Sequence, residues 1–196
     1  ALIKKFANLD AFPLCINEAD PQAIIKFCKQ IEPTFGAILL EDIKAPECFE
    51  IERTLIKELN IPVFHDDQHG TAIVVLAGLI NSMKILNKNK EDLKVVINGA
   101  GAAGISIAEQ LHAFGIKNIV LLDSRGIISK NRSDLNKYKL EALEFTNSEN
   151  LDGDLKTAIK DSNCFIGVSV ANLLNANDIQ LMEKDSIVFA LANPVP

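Results

Sequence analysis

The sequence predicts an α/β fold, a doubly wound parallel sheet preceded by part of a smaller α/β unit. Three observations carry the prediction. Short apolar, β-like runs alternate with longer helical ones, as parallel sheets with crossover helices require. A glycine-rich turn, Gly99-Ala100-Gly101-Ala102-Ala103-Gly104, joins one such run to a helical pattern. Two earlier runs end in paired acids, Glu41-Asp42 and Asp66-Asp67.

In chain order, residues 11–16 read as a strand. Pro21–Ile31 is a helix, with Asp20 as N-cap and proline in its first position. Residues 37–40 form a strand, 46–59 a helix and 61–64 the next strand. Thr71–Leu86 follows as a helix whose first half is apolar on every side, which marks a buried element. The domain boundary is placed at its start, giving a substrate and metal part over 1–70 and a dinucleotide-binding domain over 71–196. Residues 87–92 are a polar surface connection. Residues 93–97, 101–114 and 118–122 read as strand, helix, strand. Residues 125–150 are polar and irregular, with a short helix near Leu140. A helix over 154–160 precedes a closing strand, helix and strand at 164–168, 176–182 and 187–191.

The chain is 48% hydrophobic and 23% charged, which indicates a packed core and not a disordered polymer. Its net charge is −6, with no basic stripe, so nucleic acid is not an expected partner. The longest apolar run, 72–80, is too short to span a bilayer, and no membrane partner is expected. Cys15, Cys28, Cys48 and Cys164 form no CxxC pair and read as free thiols of a reducing, cytoplasmic setting. The chain does not begin with Met and closes on Asn193-Pro194-Val195-Pro196 straight after a strand, so both ends are expected to be cuts from a longer polypeptide.

The glycine turn fits GxGxxG and stands in the required context, after the strand-like KVVIN and before a helix. The next strand, NIVLLD, ends in Asp123, where the dinucleotide fingerprint places its ribose-binding acid. Gly99 permits the tight turn, Gly101 admits a pyrophosphate, and Gly104 lets helix and sheet pack closely. Ala100, Ala102 and Ala103 complete the turn, whose N–H groups and helix dipole face the phosphates. This is a Rossmann-type site for NAD or NADP. Asp123 would accept hydrogen bonds from a ribose and repel a 2′-phosphate. Arg125, beyond Ser124, would instead pair with that phosphate. NAD is the preferred reading.

The acidic pairs admit two readings. As strand tips of a parallel sheet they would bring three or four carboxylates together, a cluster that a hard cation such as Mg²⁺ or Mn²⁺ relieves. Alternatively, each pair caps the helix that follows it. His65 and His69 have the i, i+4 spacing of HExxH zinc hydrolases, but Asp66 replaces the Glu and Gly70 interrupts the helix. Both read as hydrogen-bonding residues near the site. His112 reads as a helix-surface or packing residue.

PTFGAILLEDIKAPECFEIE, IPVFHDDQHGTAIVVLAGLINSMK, VVINGAGAAGISIAEQL and FALANPVP together resemble malic enzymes, the bacterial type most closely. The resemblance spans essentially the whole chain. It implies oxidative decarboxylation of L-malate to pyruvate and CO₂ with NAD or NADP and Mg²⁺ or Mn²⁺. It implies Glu41, Asp42 and Asp67 as metal ligands, and Asp66 as the acid that supports metal binding and proton transfer. Asn193 would touch substrate or nicotinamide. The family's catalytic Tyr and Lys and its substrate-binding Arg fall N-terminal to Ala1. Lys4 and Lys5 do not occupy the motif and read as surface charges. A homo-oligomer such as a dimer is expected of the full-length polypeptide.

Overall fold

The computed structural model describes residues 2–193. Its larger sheet has five strands: β3 (Lys94–Asn98), β4 (Asn118–Asp123), β5 (Gly126–Ile127), β6 (Cys164–Gly167) and β7 (Ile187–Ala190). Their spatial order is β5-β4-β3-β6-β7. All neighbours run parallel except the β4–β5 hairpin. The chain leaves β3 toward β4 on one side and toward β6 on the other. The order therefore reverses at β3, and the C-terminal ends there open a crevice.

Residues of these strands alternate between two cores. Val95, Ile97, Ile119, Leu121, Cys164 and Ile166 pack under helices α4 (Thr71–Leu86), α5 (Ala102–Phe114) and α6 (Lys137–Ala142). Val96, Val120, Leu122 and Phe165 face the opposite layer, with Ala158 and Ile159 of α7 (Leu155–Ile159). A short α8 (Ala176–Ile179) precedes β7. Strands covered on both faces read as continuous apolar runs, which is why KVVIN and NIVLLD were legible as buried strands.

The N-terminal part carries a second sheet of two parallel strands, β1 (Ile38–Leu40) and β2 (Val63–His65). Helices α2 (Pro21–Ile31) and α3 (Glu47–Glu58) pack on it through Ile24, Ile25, Cys28, Ile51 and Leu55. Asp20 caps α2 by accepting from the Ala23 N–H at 2.9 Å. The Ala45–Pro46 bond before α3 is cis. Helix α3 joins the two parts, because its Cys48 and Phe49 belong to the core under the large sheet.

Three expectations need correction. Residues 11–16 form no strand; the segment has no regular secondary structure and is exposed, with Phe12, Leu14 and Ile16 in the open. Its apolar residues mimic a strand, but its backbone finds no neighbouring strand among the described residues. Instead, an exposed helix α1 (Leu2–Ala7) precedes it. β5 lies inside the stretch read as irregular, since two residues are too few to show periodicity. Finally, the apolar run 72–80 belongs to a continuous 21-residue helix, Asp66–Leu86, long and apolar enough to cross a bilayer by length and composition. Val75, Leu79 and Met83 of that helix are buried in the core, while Ile73, Val74 and Ile85 are exposed. Pro194, Val195 and Pro196, part of the segment quoted above, lie outside the described residues.

Candidate metal and dinucleotide site

β1 and β2 pair in register, Leu40 opposite His65, so their following residues leave the sheet side by side. Glu41-Asp42 follows β1 and Asp66-Asp67 follows β2. Oxygen atoms of Glu41, Asp42 and Asp67 lie within 4.8 Å of one another. Asp42 takes a left-handed backbone, φ 55°, and donates its N–H to Asp67 Oδ2 at 3.2 Å. Partial desolvation, followed by the charges of Asp66, Asp67 and Asp42, raises the Glu41 carboxyl pKa above its ordinary value.

The capping reading fails for both pairs. Pro46 occupies the N-cap of α3, and no side chain caps that helix. Asp66–Gly70 is a π-helical turn leading into α4, and it too has no side-chain cap. Such turns recur at functional sites because they re-aim successive side chains. A Cβ on Gly70 would meet the exposed Asp66 carboxylate, which would have to move aside.

His69 is hydrogen-bonded as the sequence suggests, His65 is not through its ring, and the residue that organises the turn, together with the part played by Gln68, was not foreseen. Glu52 of α3, 3% exposed, accepts from the His65 N–H at 2.9 Å and Gln68 Nε2 at 3.0 Å, and meets His69 Nε2 at 2.9 Å. His69 Nδ1 stands 3.4 Å from Ser106 Oγ on α5. His65 is fully buried, neither ring nitrogen is hydrogen-bonded, and Nε2 lies 3.5 Å from Asp67 Oδ2. Burial lowers its pKa. His112 stacks beside Phe145, with ring centroids 5.4 Å apart.

The glycine turn borders a cavity of about 900 Å³ at the crevice where the strand order reverses. Its lining includes Gly99, Ala100, Gly101, Asp123, Ser124 and Arg125. Ala102, Ala103 and Gly104 form the first turn of α5. Gly99 has φ +129°, a conformation that favours glycine. A Cβ on Gly104 would strike the Gly99 carbonyl, whereas one on Gly101 meets nothing within 4 Å. The three glycines thus do separate work: turn, open cradle and close packing.

Asp123, on the tip of β4, is more engaged than its sequence position implies. It receives a bidentate Arg132 at 2.8 and 3.0 Å, Lys139 Nζ at 2.6 Å and the Arg125 N–H at 2.9 Å. Burial raises its pKa, but these donors outweigh burial and bring it down to about 2. Arg125 extends to Asp134 at 2.9 Å. Arg132 lies in the loop before α6 and Lys139 on α6 itself, with no motif to announce either. Asn193 is exposed on a bend after β7. Tyr138, the single tyrosine, is buried against Phe49.

A family model described as "Malic enzyme, NAD binding domain" matches residues 68–196. The chain belongs to the malic enzyme family. It is 53% identical over its whole length to a bifunctional malic/malolactic enzyme of Bacillus subtilis, covering 48% of that protein. It is 51% identical to an NAD-dependent malic enzyme of Geobacillus stearothermophilus, covering 41%, and 44% identical to an NADP-dependent one of Haemophilus influenzae, covering 26%. The crystal structure of an NAD-dependent malic enzyme from Thermotoga maritima superposes with a TM-score of 0.96 at 50% identity, covering all of this chain and 52% of that one. This malic enzyme chain therefore spans half or less of the length of the curated relatives it matches.

Proposed function

We propose that this chain forms the cation- and dinucleotide-binding portion of an enzyme that oxidises and decarboxylates L-malate to pyruvate and CO₂. The convergence of Glu41, Asp42 and Asp67, on a turn that meets through His69 the helix beginning at the glycine turn, is the observation that supports it most directly. Three oxygen donors of like charge fit a hard divalent cation, Mg²⁺ or Mn²⁺. When bound, such a cation supplies Lewis-acid polarisation of a hydroxyl or carbonyl oxygen. The protein's own residues do the rest. Glu41, Asp42 and Asp67 would hold that cation. Asp66, exposed and near enough for its charge to act on Glu41, would take part in proton transfer. The α5 N-terminus and the open face of Gly101 hold the pyrophosphate. Asn193 lies on the segment that follows β7, where it would meet substrate or nicotinamide.

NAD is the preferred cofactor in this reading. The support is the position of Asp123 on the tip of β4, lining the cavity where a ribose would lie, although Arg132 and Lys139 pair with its carboxylate and Arg132 lines the cavity as well. Arg125, the residue that would favour NADP, is paired with Asp134. A cytoplasmic setting agrees with four free cysteines, and a homo-oligomer is proposed for the full-length polypeptide.

The test is malate-dependent reduction of NAD⁺ and NADP⁺ by the full-length polypeptide, with Mn²⁺ and with chelator. Activity should require the cation and be lost in Asp67→Asn. Turnover unaffected by chelation would refute the proposal. The 196-residue chain alone should bind dinucleotide without turnover, because the resemblance puts the family's catalytic Tyr and Lys outside residues 1–196 and general acid and base groups contribute about 10²–10⁴-fold each.

A further inference from the structure

We infer that Glu52, a buried carboxylate outside the acidic cluster, is the positioning residue that holds Asp66 and Asp67 in place for the cation. The inference rests on the proposed cation site and adds a residue to its machinery. Its basis is where the three contacts of Glu52 fall in the chain. The His65 N–H immediately precedes the two aspartates, and Gln68 Nε2 and His69 Nε2 immediately follow them. One side chain thus grips the π-helical turn on both flanks, leaving the two acids projecting between the fixed points.

The grip is rigid because its base is rigid. Glu52 lies on α3 between Phe49, packed in the core under the large sheet, and Leu55, packed in the core of the small one. Helix α3 also follows Glu41-Asp42 closely in sequence, so both halves of the acidic cluster are referred to the same helix. Without Glu52, the π-turn would lose its anchors on both flanks and keep, besides its backbone bonds, the His69–Ser106 and Asp67–Asp42 contacts, so Asp67 Oδ2 would be less firmly fixed against the Asp42 N–H. His65 adds a second pointer to the same place: its unpartnered Nε2 is buried and directed at Asp67 Oδ2. At the far end, His69 carries the line to Ser106 on α5, the helix that begins at the glycine turn.

Partners that orient metal ligands commonly contribute about 10–100-fold to metal affinity. The experiment measures Mn²⁺ binding by electron paramagnetic resonance, NAD⁺ binding by calorimetry, and melting, all on the 196-residue chain. Glu52→Gln keeps the shape but turns an amide NH₂ toward one of the existing donors. Gln68→Ala removes one arm of the grip while leaving Glu52 in place. Expected results are an Mn²⁺ dissociation constant raised at least tenfold in Glu52→Gln and at least threefold in Gln68→Ala, with NAD⁺ affinity within twofold of the unaltered chain. Smaller Mn²⁺ effects in folded variants would overturn the inference, as would equal losses of Mn²⁺ and NAD⁺ affinity, which mark a purely structural residue. If Glu52→Gln does not fold, Gln68→Ala decides alone. Absence of Mn²⁺ binding by the unaltered chain would overturn both this inference and the cation site it rests on.

Discussion

Gly101 and Gly104 lie three residues apart in the same turn, and the structure predicts opposite consequences for adding a side chain to each. At Gly101 the new Cβ meets nothing within 4 Å, and the backbone, φ −99° and ψ −158°, is open to any residue. Gly101→Val should therefore fold. Replacing a glycine N-cap by valine costs at most about 1 kcal/mol, a melting shift within about 4 °C for a chain of this size. The side chain would instead fill the space over the α5 N-terminus. A hydrogen bond to a charged group contributes about 1.5–3 kcal/mol, and the helix-end field about 0.3–1 kcal/mol. Losing one such bond with the field costs about 2–4 kcal/mol, or roughly 30- to 700-fold in Kd. Gly104→Ala does the reverse. Its Cβ lies 2.8 Å from the Gly99 carbonyl carbon and closer still to the oxygen, so strand and helix must separate. Overpacking of this kind costs about 1–3 kcal/mol, and melting should fall further than in Gly101→Val. The assays are NAD⁺ and NADP⁺ titration by calorimetry, with thermal melts of both variants. Unchanged dinucleotide affinity in a folded Gly101→Val would refute the placement of the pyrophosphate.

Other perturbations separate the remaining parts. Gly70→Ala should push the Asp66 carboxylate out of its present position, weakening Mn²⁺ binding while leaving NAD⁺ affinity intact; equal Mn²⁺ affinity, read by electron paramagnetic resonance, would contradict this. The Asp123 pKa is about 2, depressed below its unfolded value, so its contribution to stability is present above about pH 4 and lost as pH falls toward 2. That contribution is about 2 kcal/mol, and Asp123→Asn should flatten the acid limb of the melting profile over that window. An unchanged limb would show that Arg132 and Lys139 do not hold Asp123 ionised.

The parts of the fold legible in the sequence were those that local chemistry dictates. KVVIN and NIVLLD are apolar through their middles, 95–97 and 119–122, because both faces of their strands are covered, and GAGAAG has one structural use at a strand–helix junction. Asp20 and Pro21 announced α2 for the same reason. Residues 11–16 misled because an apolar run carries no record of whether a neighbouring strand exists. The acids at 41–42 and 66–67 were visible as pairs, but only the parallel register of β1 with β2 decides between capping and convergence. Glu52 was invisible: in sequence it is one more acid on an amphipathic helix, and its role depends on three partners that lie 13 to 17 residues away. Arg132 and Lys139 were hidden likewise, since a salt bridge to a strand tip has no fixed spacing.

The most direct test of the account is diffraction from crystals of this chain grown with Mn²⁺ and NAD⁺, using manganese anomalous scattering. The account predicts one anomalous peak about 2.0–2.6 Å from oxygens of Glu41, Asp42 and Asp67, with the pyrophosphate over Gly101 at the start of α5. A peak held elsewhere, or dinucleotide density away from the glycine turn, would contradict it.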